Sequence, residues 1–229
     1  DRMQGSLTLE GVSHDYGDGP VLREVDVAVA AGEVHALLGM NGAGKSTLVH
    51  IGTGMLAPTS GTIRLDGAAV RFTRPADALA QGVVLLAQEV DRALIATATV
   101  HENLTAGMLR ASRGILFSPR RNRERARALL DRYGVDIDVD RKVSELSLYE
   151  KQALSLVRAA AADARYLFLD EPTSSFDRAE TERFYGIVRT LVADGLGIVF
   201  ISHRLAEVFE IADRITVLRG GEVTLQARR

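Results

Sequence analysis

The residues best suited to chemistry lie in the stretch GMNGAGKST, residues 39–47, which matches the pattern G-x-x-x-x-G-K-[ST]. In such a loop the backbone N–H groups face the phosphates of a nucleotide, the lysine neutralises their charge, and the hydroxyl after the lysine binds Mg²⁺. We therefore predict a nucleotide site in which Ser46 also binds Mg²⁺. The predicted nucleotide-binding residues of the loop are Gly39, Asn41, Gly42, Ala43, Gly44, Lys45, Ser46 and Thr47.

Two elements must hold this loop in place. The preceding EVHALLG is an apolar run typical of a buried strand, and the following STLVHIGTGML has apolar residues at helical spacing. A Cβ at Gly42 or Gly44 is expected to keep the backbone from closing around phosphates. The N-terminal dipole of the helix acts on the same anion. The sequence thus predicts a strand, loop and helix in the order that phosphate binding requires.

A second candidate cluster is the acidic pair Asp170 and Glu171, which ends the apolar run RYLFLD. In open α/β sheets ligands bind at the carboxyl ends of the strands, and adjacent carboxylates repel each other unless something uses them. Beside a phosphate loop, we predict that Asp170 holds Mg²⁺ through its water shell and that Glu171 is the base that polarises the attacking water. A solvated pair of strand-end acids is the alternative interpretation.

Two more polar residues, Gln88 and His203, end the apolar runs VVLLAQ and IVFISH. Taken singly, each is more typical of a hydrogen-bonded residue at a strand end. Four strands that end in this way over one edge of a sheet predict a shared site.

The remaining elements are predicted from alternation and helical spacing. The segment from Ser6 to Ala30 alternates, which predicts an antiparallel hairpin or meander with Tyr16 at its tip. The Tyr16 ring there either stacks on a base or packs on the rim of the sheet. Residues 91–162 have little strand pattern and predict a helical lobe inserted into an α/β core. We assign residues 6–90 and 163–229 to the core with its β subdomain.

Composition limits the classes of function. A net charge of −2 gives no general attraction to nucleic acid, and the arginine-rich run from Arg110 to Arg132 is interpreted as a solvated helix face, because its arginines alternate with a periodic apolar stripe. The absence of cysteine excludes disulfides and thiolate metal sites. No apolar stretch approaches the roughly 18 residues of a membrane span. Residues 1–5, DRMQG, are interpreted as a non-native extension, with Met3 a candidate native start.

The motifs together resemble a known family. GMNGAGKST, Gln88, LSLYEKQ at 146–152, LFLDEPTSSFD at 167–177 and His203 have the order and spacing of the nucleotide-binding domain of ABC transporters, across essentially the whole chain. Within that family the chain looks like the first of two ATPase halves in bacterial sugar importers. The resemblance implies a P-loop NTPase (RecA-like) α/β core, an antiparallel β subdomain and an inserted α-helical subdomain that carries the signature segment, residues 146–150.

The resemblance also implies roles at matching positions. Tyr16 would stack on adenine, Gln88 would link Mg²⁺ and the γ-phosphate to the membrane partner, and His203 would contact the γ-phosphate. Asp177 would lie at the dimer interface, and Ser147 would open a helix whose N-terminus caps the γ-phosphate held by the opposite ATPase unit. The implied cofactors are ATP and Mg²⁺. The implied partners are a second ATPase half or subunit, transmembrane permease subunits and, indirectly, a solute-binding protein, at the cytoplasmic face of the inner membrane.

The signature segment departs from the family pattern Leu-Ser-Gly-Gly-Gln. Here it reads Leu146, Ser147, Leu148, Tyr149 and Glu150, so that a tyrosine stands where the second glycine belongs. A large side chain at that position puts the approach of the backbone to phosphate in doubt.

Two other functions remain as alternatives. A non-transport ABC protein acting on DNA or ribosomes would normally bring a long coiled-coil insertion or basic tails, and neither is present. A P-loop GTPase or small-molecule kinase is disfavoured because the chain has no Asn-Lys-x-Asp motif to read guanine and would leave the signature segment and His203 unexplained.

Overall fold

A computed structural model describes residues 5–86, 94–108 and 118–229 of the chain. The chain divides into two compact units. We call residues 1–85, 165–171 and 192–229 the α/β unit, and residues 86–164 and 172–191 the helical unit. The sequence-based division keeps residues 172–191 with the core, and it stays a prediction.

The first sheet of the α/β unit is antiparallel and has four strands in the order β2-β1-β4-β5. Its strands are β1 (Ser6–Asp15), β2 (Pro20–Ala30), β4 (Ser60–Leu65) and β5 (Ala68–Val70). Strands β1 and β2 pair from Ser6 with Ala30 to Asp15 with Pro20, which confirms the predicted hairpin and leaves Tyr16 in its turn. Alternate apolar side chains of β1, among them Leu7 and Leu9, are buried in the core.

The second sheet has six strands in the order β10-β9-β3-β8-β7-β6. Its strands are β3 (Val34–Gly39), β6 (Val83–Leu86), β7 (Tyr166–Asp170), β8 (Gly197–Ile201), β9 (Arg214–Arg219) and β10 (Glu222–Arg228). Strands β9, β3, β8 and β7 run parallel, whereas β10 returns antiparallel to β9. The carboxyl ends of β3, β7 and β8 therefore meet at one edge of the sheet.

The helices divide between the two units. The α/β unit contains α1 (Lys45–Gly52), α2 (Pro75–Ala80) and α7 (Leu205–Ile211). The others are α3 (Val100–Met108), α4 (Pro119–Arg132), α5 (Leu148–Ala161) and α6 (Arg178–Ala193), of which α6 lies in the helical unit up to residue 191. Helix α3 packs against α4 and α5. None of the described helices is long and apolar enough to cross a lipid bilayer.

Helix α4 confirms, for its described part, the interpretation of the arginine-rich run. Its buried residues Asn122, Ala126 and Leu130 recur every four positions and form one stripe. The arginines at positions 120, 121, 125, 127 and 132 are exposed on the rest of its surface.

A buried histidine joins the two sheets of the α/β unit. His35 on β3 is 2% exposed, with Nδ1 2.9 Å from the carbonyl oxygen of Ala28 and Nε2 2.7 Å from the hydroxyl of Thr216. Because a carbonyl oxygen can only accept, Nδ1 carries the hydrogen and Nε2 accepts from Thr216. Ala28 belongs to β2 and Thr216 to β9, so a single side chain links one sheet to the other.

Candidate nucleotide site

The phosphate loop follows β3 directly and leads into α1. Within the loop the N–H of Ala43 donates to the carbonyl oxygen of Met40 at 3.1 Å. At its junction with α1 the N–H of Leu48 donates to the carbonyl oxygen of Gly44 at 2.9 Å. Gly42 and Gly44 have φ angles of +80° and +98°, in the left-handed region that favours glycine. The predicted arrangement of strand, loop and helix is confirmed.

The two glycines are required for different reasons. A Cβ on Gly44 would stand 2.5 Å from Leu22 Cδ2 and 3.0 Å from the carbonyl oxygen of Val21, whereas a Cβ on Gly42 would meet no atom of the described residues within 4 Å. Packing against β2 therefore demands Gly44, and the phosphate clearance expected from the sequence stays a prediction. Gly42 is required by its backbone conformation and faces open space.

Lys45 and the first turn of α1 supply positive charge at this loop. The Lys45 ammonium donates to the carbonyls of Gly39 at 2.6 Å and Met40 at 3.1 Å, which holds it beside the loop. Gly44 provides no side chain to cap α1, and the first turn contains no acidic residue. The N–H groups at this helix end are thus available to an anion. Among the other predicted loop residues, Asn41 and Ser46 are exposed, while Ala43 and Thr47 are buried.

Tyr16 contacts the start of α1 from the turn of the β1–β2 hairpin. Its hydroxyl lies 3.4 Å from Thr47 Oγ1, and its ring meets that of His14 edge-on at a centroid distance of 4.5 Å. The side chain is 58% exposed, so most of the ring remains open to a ligand. The structure thus brings Tyr16 to the phosphate loop, and its stacking on a base stays a prediction.

The acidic pair and His203 meet at the ends of β7 and β8. Glu171 has a φ of +45°, a left-handed conformation that costs a non-glycine residue roughly 1–3 kcal/mol, and its N–H donates to the carbonyl of Ile201 at 3.0 Å. His203 Nδ1 lies 2.8 Å from Glu171 Oε1. The strained backbone and the hydrogen bond together fix the direction of this carboxylate.

Asp170 is electrostatically coupled to its neighbours in the site. Burial, followed by the negative charge of Glu171, raises the pKa of Asp170 above its ordinary value, while the charges of His50 and Lys45 oppose this rise. A cation beside the two carboxylates would relieve their repulsion. The hydroxyl of Ser46 and the carboxylate of Asp170 are oxygen donors of the kind that Mg²⁺ prefers, so the residues fit this metal. Gln88, the third predicted metal residue, lies outside the described residues.

A buried acid beside His203 was not predicted from the sequence. Glu207, 9% exposed on α7, accepts at 2.8 Å from the hydroxyl of Ser202 and pairs at 2.9 Å with Arg204. The N–H of Arg204 in turn donates to Ser202 Oγ at 3.0 Å. The residues on both sides of His203 are therefore held by one carboxylate. The only sequence signal was an acid four positions after His203.

In the helical unit, Ser147 opens α5, as the sequence predicts. Its hydroxyl accepts from the N–H of Glu150 at 3.2 Å, and the Glu150 carboxylate accepts from the N–H of Ser147 at 2.6 Å, which is a reciprocal capping box. Arg141 pairs with Glu150 at 2.7 Å. Asp177 caps α6 in the same reciprocal way with Glu180. The roles of Ser147, Tyr149 and Asp177 at a dimer interface stay predictions.

The chain is similar to known proteins of one family. A family model described as ABC transporter matches residues 22–174. The ribose import ATP-binding protein RbsA 2 of Rhizobium etli is 44% identical over 215 residues, a match that covers 94% of this chain and 42% of that protein. RbsA 1 of Burkholderia thailandensis is 42% identical over 220 residues, covering 96% of this chain and 43% of its own length. The chain thus spans less than half the length of these curated relatives.

Solved structures agree in fold. The ADP conformation of MJ1267, an ATP-binding cassette of an ABC transporter, superposes with a TM-score of 0.84 at 26% identity and covers 98% of this chain and 91% of its own. The protein cbiO1 from Clostridium perfringens, part of the ABC transporter complex cbiONQ, also gives 0.84 at 26% identity, covering 97% and 88%. These neighbours confirm the fold class expected from the sequence.

Proposed function

The chain belongs to the ABC transporter family, and from this premise we propose that it binds ATP and, with a second ATPase half or subunit, hydrolyses it to drive an importer. The observation that carries the proposal is the convergence of the phosphate loop with Asp170, Glu171 and His203 at one edge of the parallel sheet. Phosphate binders and a positioned base at one edge are what phosphoryl transfer to water requires.

Each group has a distinct task in this reaction. The loop N–H groups, the first turn of α1 and the Lys45 ammonium bind the phosphates, and Ser46 and Asp170 would hold Mg²⁺, which neutralises charge on the phosphates when bound. Glu171 accepts the proton of the attacking water. His203 orients the Glu171 carboxylate through its Nδ1 hydrogen bond. Tyr16 offers a ring for the base.

The relatives support a proposal for the transported molecule and the partners. The names of the matched curated proteins state ribose import, which supports a sugar importer. On this proposal the chain is the first ATPase half, sits at the cytoplasmic face of the inner membrane against permease subunits, and serves a solute-binding protein indirectly. Ser147 then faces the nucleotide bound by the second half, and Asp177 lies at the interface between the two halves.

ATP binding by the isolated chain tests the nucleotide site directly. Isothermal titration with Mg·ATP should detect binding, and Lys45→Ala should weaken it by about 10- to 100-fold, since hydrogen bonds to a charged group contribute roughly 1.5–3 kcal/mol. Lys142→Ala, which removes an exposed lysine of the helical unit, is the matched control and should bind as the native chain does. Binding that is insensitive to Lys45 would overturn the assignment of the loop.

The transport proposal needs the assembled system. Membrane vesicles containing the permease and the complete ATPase should hydrolyse ATP faster when a ribose-loaded solute-binding protein is supplied. Stimulation by a solute that is not a sugar, with none by ribose or another sugar, would retain the ATPase and reject the sugar assignment.

A further inference from the structure

Tyr149, which stands where the family pattern has glycine, packs inside the helical unit. Its ring meets the ring of Phe176 edge-on, with centroids 5.5 Å apart and planes at 73°. The guanidinium carbon of Arg183 lies 5.0 Å from the centre of the Tyr149 ring. Both arrangements are attractive for an aromatic side chain. Burial also raises the pKa of the Tyr149 hydroxyl, as expected for a side chain partly withdrawn from water.

Phe176 helps to anchor the segment 172–177, of which Pro172 and Thr173 are buried. The N–H of Phe176 donates to the carbonyl of Thr173 at 3.1 Å and closes a turn. On its other side the Phe176 ring lies 5.6 Å from that of Phe184, a fully buried residue of α6. Phe176 therefore touches α6 through Phe184 and α5 through Tyr149.

The residues next to this aromatic pair begin two helices. Ser147 and Glu150 cap each other at the start of α5, and Asp177 and Glu180 cap each other at the start of α6. Reciprocal caps make each helix start locally rigid. The contact between Tyr149 and Phe176 connects the two starts.

We propose that Tyr149 is a positioning residue that ties the start of α5, with Ser147, to the segment 172–177, with Asp177. The two segments then approach a partner ATPase as one body. This functional consequence rests on the proposed function, because only a partner gives Ser147 and Asp177 something to contact. The tie itself is a property of the chain alone.

Hydrogen exchange in the isolated chain, followed by mass spectrometry, tests the tie. Tyr149→Gly should increase exchange in peptides covering residues 172–180 by up to about tenfold, because an aromatic pair contributes up to about 1.5 kcal/mol beyond its buried area. Tyr149→Phe keeps the ring edge and should stay within about threefold of the native chain. Leu148→Gly is the matched control: it also places glycine in the first turn of α5, but it removes an exposed side chain. Leu148→Gly should leave residues 172–180 unchanged.

A second measurement uses the absence of tryptophan from the sequence. Phe176→Trp introduces a single tryptophan, which can be excited apart from the tyrosines. Its emission should shift to the red and be quenched more strongly by acrylamide when Tyr149→Gly is added, but not when Leu148→Gly is added. Phe176→Leu removes the other ring of the aromatic contact and should speed exchange at residues 147–152. This second variant keeps the test decisive if Tyr149→Gly folds poorly.

The outcomes separate this inference from the proposed function. Equal effects of Tyr149→Gly and Leu148→Gly on residues 172–180, or no rescue by Tyr149→Phe, would overturn the tie without touching ATP binding. Failure of the chain to bind ATP would instead overturn the proposed function. In the assembled importer, Tyr149→Gly should lower kcat by roughly three- to tenfold with an unchanged KM for ATP, and Tyr149→Phe should restore it. An unchanged kcat would reject the consequence for the partner site.

Discussion

His203 Nδ1 lies 2.8 Å from Glu171 Oε1, although the two residues are 32 positions apart in the chain. Neighbouring parallel strands bring them together, since Asp170 at the end of β7 is paired with Ile201 at the end of β8. The imidazole therefore fixes one carboxylate oxygen of Glu171. A base held in this way loses little freedom when it accepts a proton.

Replacing Glu171 by glutamine should separate binding from hydrolysis. Glu171→Gln keeps an oxygen that can accept a hydrogen bond but removes the basicity, so turnover in the assembled transporter should fall by ~10² or more, with ATP still bound. Steady-state hydrolysis and a nucleotide-binding titration measure the two effects. Glu210→Gln, an exposed glutamate of α7, serves as the control. Near-native hydrolysis by Glu171→Gln would show that another group is the base.

Removing the carboxylate of Glu207 should make the position of His203 less fixed and slow hydrolysis, while ATP still binds. Glu207→Ala leaves the hydroxyl of Ser202 without its acceptor and Arg204 without its partner. Hydrolysis should fall by about tenfold while ATP affinity stays within about twofold, since a hydrogen bond to a buried charge contributes roughly 1.5–3 kcal/mol. The NMR signals of the His203 ring should broaden or shift. Glu210→Ala on the same helix should change none of these quantities.

The two loop glycines should differ in their contribution to stability. Gly44→Ala combines a left-handed backbone with a collision against Leu22, and we expect a loss of about 3 kcal/mol or more in the free energy of unfolding. Gly42→Ala pays only the backbone term, about 1–2 kcal/mol, because its Cβ meets open space. Urea unfolding of both variants decides the matter. Equal losses would contradict the packing role of Gly44.

Asp170 should make the chain without nucleotide less stable as the pH rises. The pKa of Asp170 is raised in the folded state, so the folded chain holds the proton more tightly than the unfolded chain. Aspartates in an unfolded chain titrate at about pH 3.9. The resulting loss of folding stability is absent below the pKa of Asp170 in the unfolded chain and is complete above its pKa in the folded chain. Asp170→Asn should therefore raise the stability of the nucleotide-free chain at neutral pH.

Urea unfolding at several pH values measures this effect. The gain from Asp170→Asn should vanish toward acid pH, and Asp136→Asn, which changes an exposed aspartate, should show no such trend. Addition of Mg·ATP should stabilise the native chain more than it stabilises the Asp170→Asn variant, because the variant lacks the carboxylate that would hold Mg²⁺. A loss of stability in the variant at neutral pH would show that the carboxylate is already neutralised by Lys45 and His50.

Features set by local patterns were predictable from the sequence. The alternation of residues 6–30 predicted the hairpin with Tyr16 in its turn, and the apolar run before Asp170 predicted a buried strand. The family resemblance placed the start of a helix at Ser147, and the reciprocal cap with Glu150 at the start of α5 agrees with it.

Features that depend on tertiary contacts were not predictable in this way. The need for glycine at position 44 comes from Leu22 on another strand, and the hold on His203 comes from the burial of Glu207. The contact of Tyr149 with Phe176 joins residues whose separation in sequence gives no periodic signal. Pattern and spacing report on the neighbours of a residue along the chain, whereas these properties depend on its neighbours in space.

The bridge through His35 also bears on which ligands the site can accept. It joins β2, which begins just after the turn that contains Tyr16, to the strand β3 that ends at Gly39. The ring that would face a base also contacts the phosphate loop directly, because the Tyr16 hydroxyl lies 3.4 Å from Thr47 Oγ1, so both are in place before any ligand arrives. Such a frame selects molecules by length: a free base or a pyrophosphate can engage one end only, and an intact nucleotide can span both.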